Sequence, residues 1–145
     1  MHRAPGDLAE TFPPHYCEGL ARVRAGPGFF RADSRPARDQ GVLLARSIGG
    51  SGGLRVLDLM AGCGVRSVRY GLEAGATEVW VNDADPERTP WLRENLGCLP
   101  PQAAVRILCR SAGALLAELR IGGQSFDLVD LDAFGWPGRL LPLAV

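Results

Sequence analysis

The sequence predicts an α/β protein built on a doubly wound parallel sheet. From residue 54 onward, short apolar strands alternate with helical segments, a pattern that implies right-handed crossovers and a parallel sheet covered on both faces. The first of these strands breaks into the glycine turn Gly62-Cys63-Gly64 and then into a helix, as strands at nucleotide-cofactor sites do. A ligand crevice is therefore expected at the carboxyl edge of this sheet.

The predicted elements follow one another along the chain. Prolines and glycines predict an irregular arm over residues 1–37, and apolar spacing predicts a helix over residues 38–48 that ends in a flexible glycine joint. The domain prediction is this arm followed by a partial ligand-binding domain over residues 38–145. Strands are predicted over residues 54–60, 78–82, 104–109 and 126–131, and helices over residues 65–74, 86–96 and 112–119.

Length and composition indicate one globular unit, and its net charge does not point to a highly charged binding partner. The chain has 145 residues, of which 46% are hydrophobic, enough for a single core. The formal net charge is +0 and all 16 basic residues are arginine, so the overall charge does not itself indicate nucleic-acid binding. The arginines clustered within residues 22–46 suit either phosphate contacts or a solvated face.

The cysteines and the apolar runs indicate whether the protein binds a metal, which compartment it occupies and whether it crosses a membrane. Cys17, Cys63, Cys98 and Cys109 lack the spacing of a zinc site or a disulfide framework. We therefore predict no metal and an intracellular, reducing compartment, with an organelle address left open. No run reaches the roughly 18 apolar residues that span a bilayer, and the start is not a secretory signal, so no membrane partner is expected.

The residues after the first two strands are candidate ligands of a nucleotide cofactor. Gly62 and Gly64 lack a Cβ atom, permit positive φ and let the backbone approach a ligand, and Asp58 precedes their turn. Asp83 lies 19 residues after Gly64, a spacing typical of a carboxylate that binds ribose hydroxyls. Asp85 precedes a proline and is predicted to cap the next helix. A capping role for Asp83 as well stays open.

The fourth strand ends in an acid, an aromatic residue and a glycine. Asp132 could accept the N–H groups of a planar amine while Phe134 stacks on its ring. Alternatively, Asp132 caps a turn and Phe134 fills the core. Ser111 and Ala112 follow the third strand. Polar groups thus follow each strand at the same edge, which predicts a binding crevice there.

Several of these segments together resemble one enzyme family. Residues 57–69, 82–87 and 130–135, preceded by Arg38-Asp39, resemble the tRNA guanine-26 N2-dimethyltransferases over most of residues 29–137. The resemblance implies a Rossmann-like domain of the class I methyltransferase type. It also implies S-adenosylmethionine as cofactor and tRNA as partner, with methyl transfer to the exocyclic N2 of a guanine.

The resemblance also implies roles for individual residues. Arg38 and Arg66 would bind the cofactor and pair with its methionine carboxylate, although each is otherwise an ordinary helix charge. Asp132 would orient or deprotonate the guanine amine, with Phe134 stacking nearby. The other cofactor-binding residues it implies are Asp58, Gly62, Gly64, Asp83 for the ribose, and Ser111 and Ala112, where the family usually has Asp-Ala.

Two departures leave alternatives open. Ala133 stands where the family has proline, and the family continues beyond the fourth strand into an RNA-binding domain, whereas this sequence ends at Val145. We therefore expect a sheet truncated after the fourth strand, with an uncovered edge. The alternatives are a methyltransferase of another substrate, or a non-catalytic module that binds the cofactor or a partner protein. The sequence leaves oligomeric state and the activity of the short chain open.

Overall fold

The computed structural model describes residues 15–26, 30–133 and 135–145. A hairpin of β1 and β2 comes first, and a one-turn 3-10 helix, Ala32–Ser34, precedes α1. A second such turn, Pro86–Arg88, precedes α3. The strands are β1 (Tyr16–Glu18), β2 (Ala21–Val23), β3 (Arg55–Asp58), β4 (Glu78–Asn82), β5 (Ala104–Leu108) and β6 (Leu128–Asp130). The helices are α1 (Arg35–Ile48), α2 (Val65–Glu73), α3 (Thr89–Leu96), α4 (Ala112–Ile121) and α5 (Leu141–Ala144).

The main sheet is parallel and has the order β5-β4-β3-β6. One face carries Val56 and Val79 and packs against α1, α2 and α3, while the other carries Leu57 and Trp80 and packs against α4. The predicted doubly wound α/β fold is confirmed. Because β3 lies between β4 and β6, the winding reverses beside it, and the carboxyl ends of these three strands border one crevice.

Most predicted elements of the sheet region are present with shifted ends. The predicted strand over residues 54–60 is shortened to β3, and that over residues 126–131 is shortened to β6. The helix predicted over residues 86–96 starts as the 3-10 turn Pro86–Arg88 and becomes α-helical at Thr89. The glycine joint is a closed turn in which Gly53 donates to the Gly50 carbonyl. Within the described ranges, no helix has both the length and the apolarity to cross a membrane.

The prediction of an irregular arm over residues 1–37 is wrong where the structure describes regular elements in this region. β1 and β2 pair antiparallel, and Ala21 and Val23 are buried in the main core. Helix α1 begins before residue 38, and Pro36 lies in its first turn, where a proline loses no helical hydrogen bond. Residues 1–14 and 27–29 lie outside the described residues. The domain division at residue 37 stays a prediction.

A buried ion-pair network fastens the hairpin to the helices. The Glu18 carboxylate is fully buried and accepts hydrogen bonds from Arg38 at 2.6–3.1 Å, from Arg69 at 2.7 Å and from the Tyr16 hydroxyl at 2.7 Å. Burial raises the pKa of Glu18, but the hydrogen bonds from Arg38, Tyr16 and Arg69 outweigh it and lower the pKa to about 2. The network thus ties β1 to α1 and α2 through one charged carboxylate.

We expect Glu18→Gln to lower the free energy of unfolding at pH 7 by about 3 kcal/mol, because Arg38 keeps a buried charge without its carboxylate. Denaturant titration measures this difference. Since the folded pKa of Glu18 lies below its usual 4.5, the carboxylate stabilises the fold above that pH. The stabilisation is lost as the pH falls toward 2, so the difference between wild type and variant should shrink over that range.

Asp33→Asn is the control, because it removes an acid whose pair with Arg31 is exposed and should change little. Equal stability of Glu18→Gln and wild type at pH 7 would contradict the assigned role of Glu18.

Candidate functional site

A cavity of about 560 Å³ opens at the carboxyl ends of β3, β4 and β6. Its walls come from the turn before α1, the glycine loop after β3, and the loops after β4 and β6. Of the predicted site residues, the structure brings Arg38, Gly62, Arg66, Asp83 and Asp132 together on these walls. Four others do not line the cavity, namely Asp58, Gly64, Ser111 and Ala112. Phe134 lies outside the described residues.

The two loop glycines serve different purposes. Gly62 has φ of 57°, lines the cavity and would place a Cβ atom in open space. Gly64 has φ of 79°, and a Cβ atom there would lie 2.9 Å from a methyl group of Leu92. Positive φ favours glycine at both positions. Gly62 therefore shapes the cavity wall, whereas Gly64 allows the loop to pack on α3.

Asp83 joins the glycine loop to the loop after β4. Its Oδ2 accepts a hydrogen bond from the Gly62 amide at 2.8 Å, and its Oδ1 accepts one from the Asp85 amide at 3.0 Å. Each carboxylate oxygen can accept two hydrogen bonds, so each keeps capacity toward the cavity. Asp85 accepts a hydrogen bond from the Glu87 amide at the 3-10 turn, which confirms the predicted cap.

Two buried asparagines, absent from the predicted site, brace the surrounding loops. The Asn82 side chain donates to the carbonyls of Leu59 and Arg110 and accepts from the Arg110 amide. Asn95 donates to the Cys63 carbonyl at 2.8 Å, and its other hydrogen bonds join Arg24. Asn82 could have been singled out, because it ends a predicted strand directly before Asp83. Nothing in the sequence marks Asn95.

Arg66 lies between two carboxylates, that of Asp130 at the end of β6 and that of Asp132 in the loop that follows. Its Nε and Nη2 donate to Asp132 Oδ2 at 3.2 and 3.1 Å, and its Nη1 lies 3.6 Å from Asp130 Oδ2. The Arg66 and Asp130 side chains are 13% and 11% exposed, against 57% for Asp132. Asp130 was not among the predicted site residues. Asp130 lies only two residues before Asp132, at the carboxyl end of the predicted strand, and this position was a usable signal.

Asp58 lies beneath the cavity rather than on its wall. The residue is fully buried, its Oδ2 accepts from the Ser67 hydroxyl at 2.7 Å, and its Oδ1 has no partner in the described part of the chain. Burial, together with the negative charge of Asp130, raises the pKa of Asp58 to about 7. Asp58 is therefore placed to influence the site through charge rather than by contact.

Arg38 reaches the cavity, but its guanidinium is engaged elsewhere. Besides its pair with Glu18, it donates to the carbonyls of Arg31 and Ala32 at 3.0 and 3.2 Å. It also lies 5.4 Å from the centre of the Phe30 ring. These contacts make Arg38 an anchor for the segment that forms one cavity wall. Glu18, its main partner, lies in the region predicted as irregular, and no sequence signal marked it.

We expect Asp58→Asn to raise the free energy of unfolding at pH 8 by roughly 1–3 kcal/mol, because it removes a buried charge. The folded pKa of about 7 lies above the usual 3.8. The protonated carboxyl therefore stabilises the fold at low pH, and this contribution is lost as the pH rises through 7. The difference between variant and wild type should grow between pH 4 and 8 in denaturant titrations.

Glu87→Gln, a change at an exposed acid, should leave the pH dependence of stability as in wild type. A difference between Asp58→Asn and wild type that stays constant from pH 4 to 8 would contradict a raised pKa at Asp58.

Comparison with known proteins identifies the family. A family model described as N2,N2-dimethylguanosine tRNA methyltransferase matches residues 18–145. The chain is 40% identical over 131 residues to the tRNA (guanine(26)-N(2))-dimethyltransferase of Methanoregula boonei, covering 90% of this chain and 30% of the relative. Identity to the Thermococcus kodakarensis enzyme of the same name is 31% over 150 residues, covering 88% of this chain and 38% of the relative.

Solved structures agree with this result. Trm1 from Pyrococcus horikoshii, in complex with S-adenosyl-L-methionine, superposes with a TM-score of 0.76 at 27% identity, covering 90% of this chain and 38% of that one. A SAM-dependent methyltransferase from Agrobacterium tumefaciens shares the fold, with a TM-score of 0.65 at 20% identity. The chain spans about a third of the length of the curated relatives it matches. The resemblance predicted from the sequence is confirmed, and the chain belongs to the N2,N2-dimethylguanosine tRNA methyltransferase family.

Proposed function

We propose that this chain binds S-adenosylmethionine and takes part in methyl transfer to the exocyclic N2 of a guanine in tRNA. The observation that carries the proposal is the single cavity shared by Arg66, Asp83 and Asp132, three residues far apart in sequence. Membership of the family supplies the substrate class, since its curated relatives are named as tRNA (guanine(26)-N(2))-dimethyltransferases.

The residues at the cavity fit the cofactor chemically. The Arg66 guanidinium lines the cavity and carries planar donors that suit the methionine carboxylate, which would share them with Asp132. Asp83 has acceptor capacity for ribose hydroxyls beside the Gly62 backbone, which no Cβ atom covers. When bound, S-adenosylmethionine would supply a methyl group on a positively charged sulfur. Ser111 and Ala112 are not included in the proposed site, because neither lines the cavity.

Asp132 is the group we assign to the guanine amine. Its Oδ2 is held by Arg66, while no described residue donates to its Oδ1, and the side chain is 57% exposed at the cavity. In the proposed step, the amine nitrogen forms a bond to the methyl carbon while the carbon–sulfur bond breaks and its electron pair stays on sulfur. Asp132 orients the amine and accepts the proton that the nitrogen loses. The stacking role that the family resemblance implies for Phe134 stays a prediction.

We further propose that the protein meets tRNA in an intracellular, reducing compartment. All four cysteines, Cys17, Cys63, Cys98 and Cys109, are unpaired, which suits such a compartment. The family's named substrate supports the same assignment.

We expect wild-type protein to bind S-adenosylmethionine, and Asp83→Ala to weaken binding about tenfold or more, because the ribose loses a charged acceptor and the glycine loop loses its anchor. Isothermal titration calorimetry measures both affinities. Glu87→Gln, at an exposed acid outside the cavity lining, is the control and should bind as wild type does. No binding by wild type, or unchanged binding by Asp83→Ala, would contradict the assigned cofactor site.

We expect tRNA transcripts with guanosine at position 26 to be methylated, and transcripts with inosine there to be inert, because inosine lacks the exocyclic amine. Asp132→Asn should lower the rate by about 10²-fold or more through loss of the proton acceptor. Transfer of labelled methyl groups, followed by nucleoside analysis, measures both effects. Equal labelling of the inosine transcript, or full activity of Asp132→Asn, would overturn the assigned chemistry.

A further inference from the structure

Tyr70 lies one helical turn after Arg66 and faces the same strand. The residue is 2% exposed, and its hydroxyl donates to Asp130 Oδ2 at 2.5 Å. Burial and the negative charge of Asp130 raise the pKa of Tyr70, so the hydroxyl remains a donor at neutral pH. Neither the sequence patterns nor the proposed methyl transfer gives this tyrosine a role.

The neighbouring helix leaves just enough room for this hydroxyl. Gly41 lies inside α1, and a Cβ atom there would come within 2.7 Å of the Tyr70 hydroxyl oxygen. Glycine weakens a helix interior relative to alanine. Its presence opposite Tyr70 therefore allows α1 and α2 to pack while the hydroxyl reaches Asp130.

The same carboxylate oxygen connects Tyr70 to Arg66. Asp130 Oδ2 accepts from Tyr70 and lies 3.6 Å from Arg66 Nη1. The other side of the guanidinium, Nε and Nη2, faces Asp132. Asp130 thus lies at ion-pair distance from Nη1, Asp132 accepts from Nε and Nη2, and the guanidinium between them lines the cavity.

We propose that Tyr70, acting through Asp130, is a positioning residue that fixes Arg66 for pairing with the carboxylate of the bound cofactor. This inference rests on the proposed function, in which Arg66 takes the methionine carboxylate. Two-point pairing of a guanidinium with a carboxylate requires a fixed orientation. Loss of the Tyr70 hydroxyl should therefore weaken contacts to the carboxylate and spare contacts to the adenosyl group.

The test compares two ligands on the whole chain by isothermal titration calorimetry. S-adenosylmethionine carries the carboxylate, and decarboxylated S-adenosylmethionine lacks it. We expect Tyr70→Phe to weaken binding of the first by roughly three- to tenfold and to leave binding of the second unchanged. We define the affinity ratio as the affinity for S-adenosylmethionine divided by that for the decarboxylated ligand. A purely structural role for Tyr70 would weaken binding of both ligands equally and leave this ratio unchanged, whereas loss of positioning would lower it.

Tyr16→Phe is the matched control. It removes the hydroxyl that donates to the buried Glu18 carboxylate at 2.7 Å, a similar bond away from Arg66. Any effect that passes through Glu18 and Arg38 to the cavity wall should act on both ligands and leave the affinity ratio unchanged. Gly41→Ala is the second variant and decides the question if Tyr70→Phe does not fold. Its new methyl group should displace the Tyr70 hydroxyl and lower the ratio in the same direction.

Two results would overturn the inference. One is that Tyr70→Phe and Gly41→Ala both keep the affinity ratio of wild type, although Arg66→Ala lowers it. The other is an equal fall of the ratio in Tyr16→Phe and Tyr70→Phe. Failure of the proposed function looks different: wild type would bind neither ligand, or Arg66→Ala would leave the ratio unchanged.

Discussion

The site depends on the neutralisation of carboxylates that the parallel sheet forces together. Asp58 and Asp130 are register partners on adjacent strands, and Asp132 follows two residues later. Like charges at such spacing disfavour ionisation, and a helix that presents donors to them reduces this penalty. The donors all lie on α2, within about one helical turn. Ser67 donates to Asp58 and Tyr70 donates to Asp130, while Arg66 donates to Asp132 and lies at ion-pair distance from Asp130.

This arrangement gives the acids different properties despite their proximity. Asp58 is buried with one oxygen unpartnered, and its raised pKa reflects that burial. Asp132 is exposed at the cavity and held on one oxygen only. Burial therefore raises the pKa of Asp58 beneath the site, whereas Asp132 is the carboxyl group that reaches the cavity.

The N-terminal hairpin supports one wall of the cavity from outside the main sheet. Glu18 holds Arg38, and Arg38 in turn holds the carbonyls of the segment that leads into α1. Phe30 and Arg31 on that segment line the cavity. The arginine that the family resemblance assigned to the cofactor thus fixes a wall of the site in this structure.

The sequence predicted the parts of the fold that depend on local pattern. Apolar runs and glycine breaks placed the strands of the main sheet, and the shared end of those strands brought Asp83 and Asp132 into one group. The hairpin was not predicted because β1 and β2 have three residues each, too few to show the alternation of apolar and polar residues that marks a strand. The burial of Asp58 was not predicted either. The packing of α2 against β3, and not residue type, decides which carboxylates reach the cavity.

A crystal structure of this chain with S-adenosylmethionine bound would test the assigned cofactor site most directly. We expect the ribose hydroxyls within hydrogen-bond distance of Asp83 and the methionine carboxylate on Arg66, in the cavity beyond β3, β4 and β6. Electron density for the ligand elsewhere on the molecule, or in this cavity without contact to either residue, would contradict it.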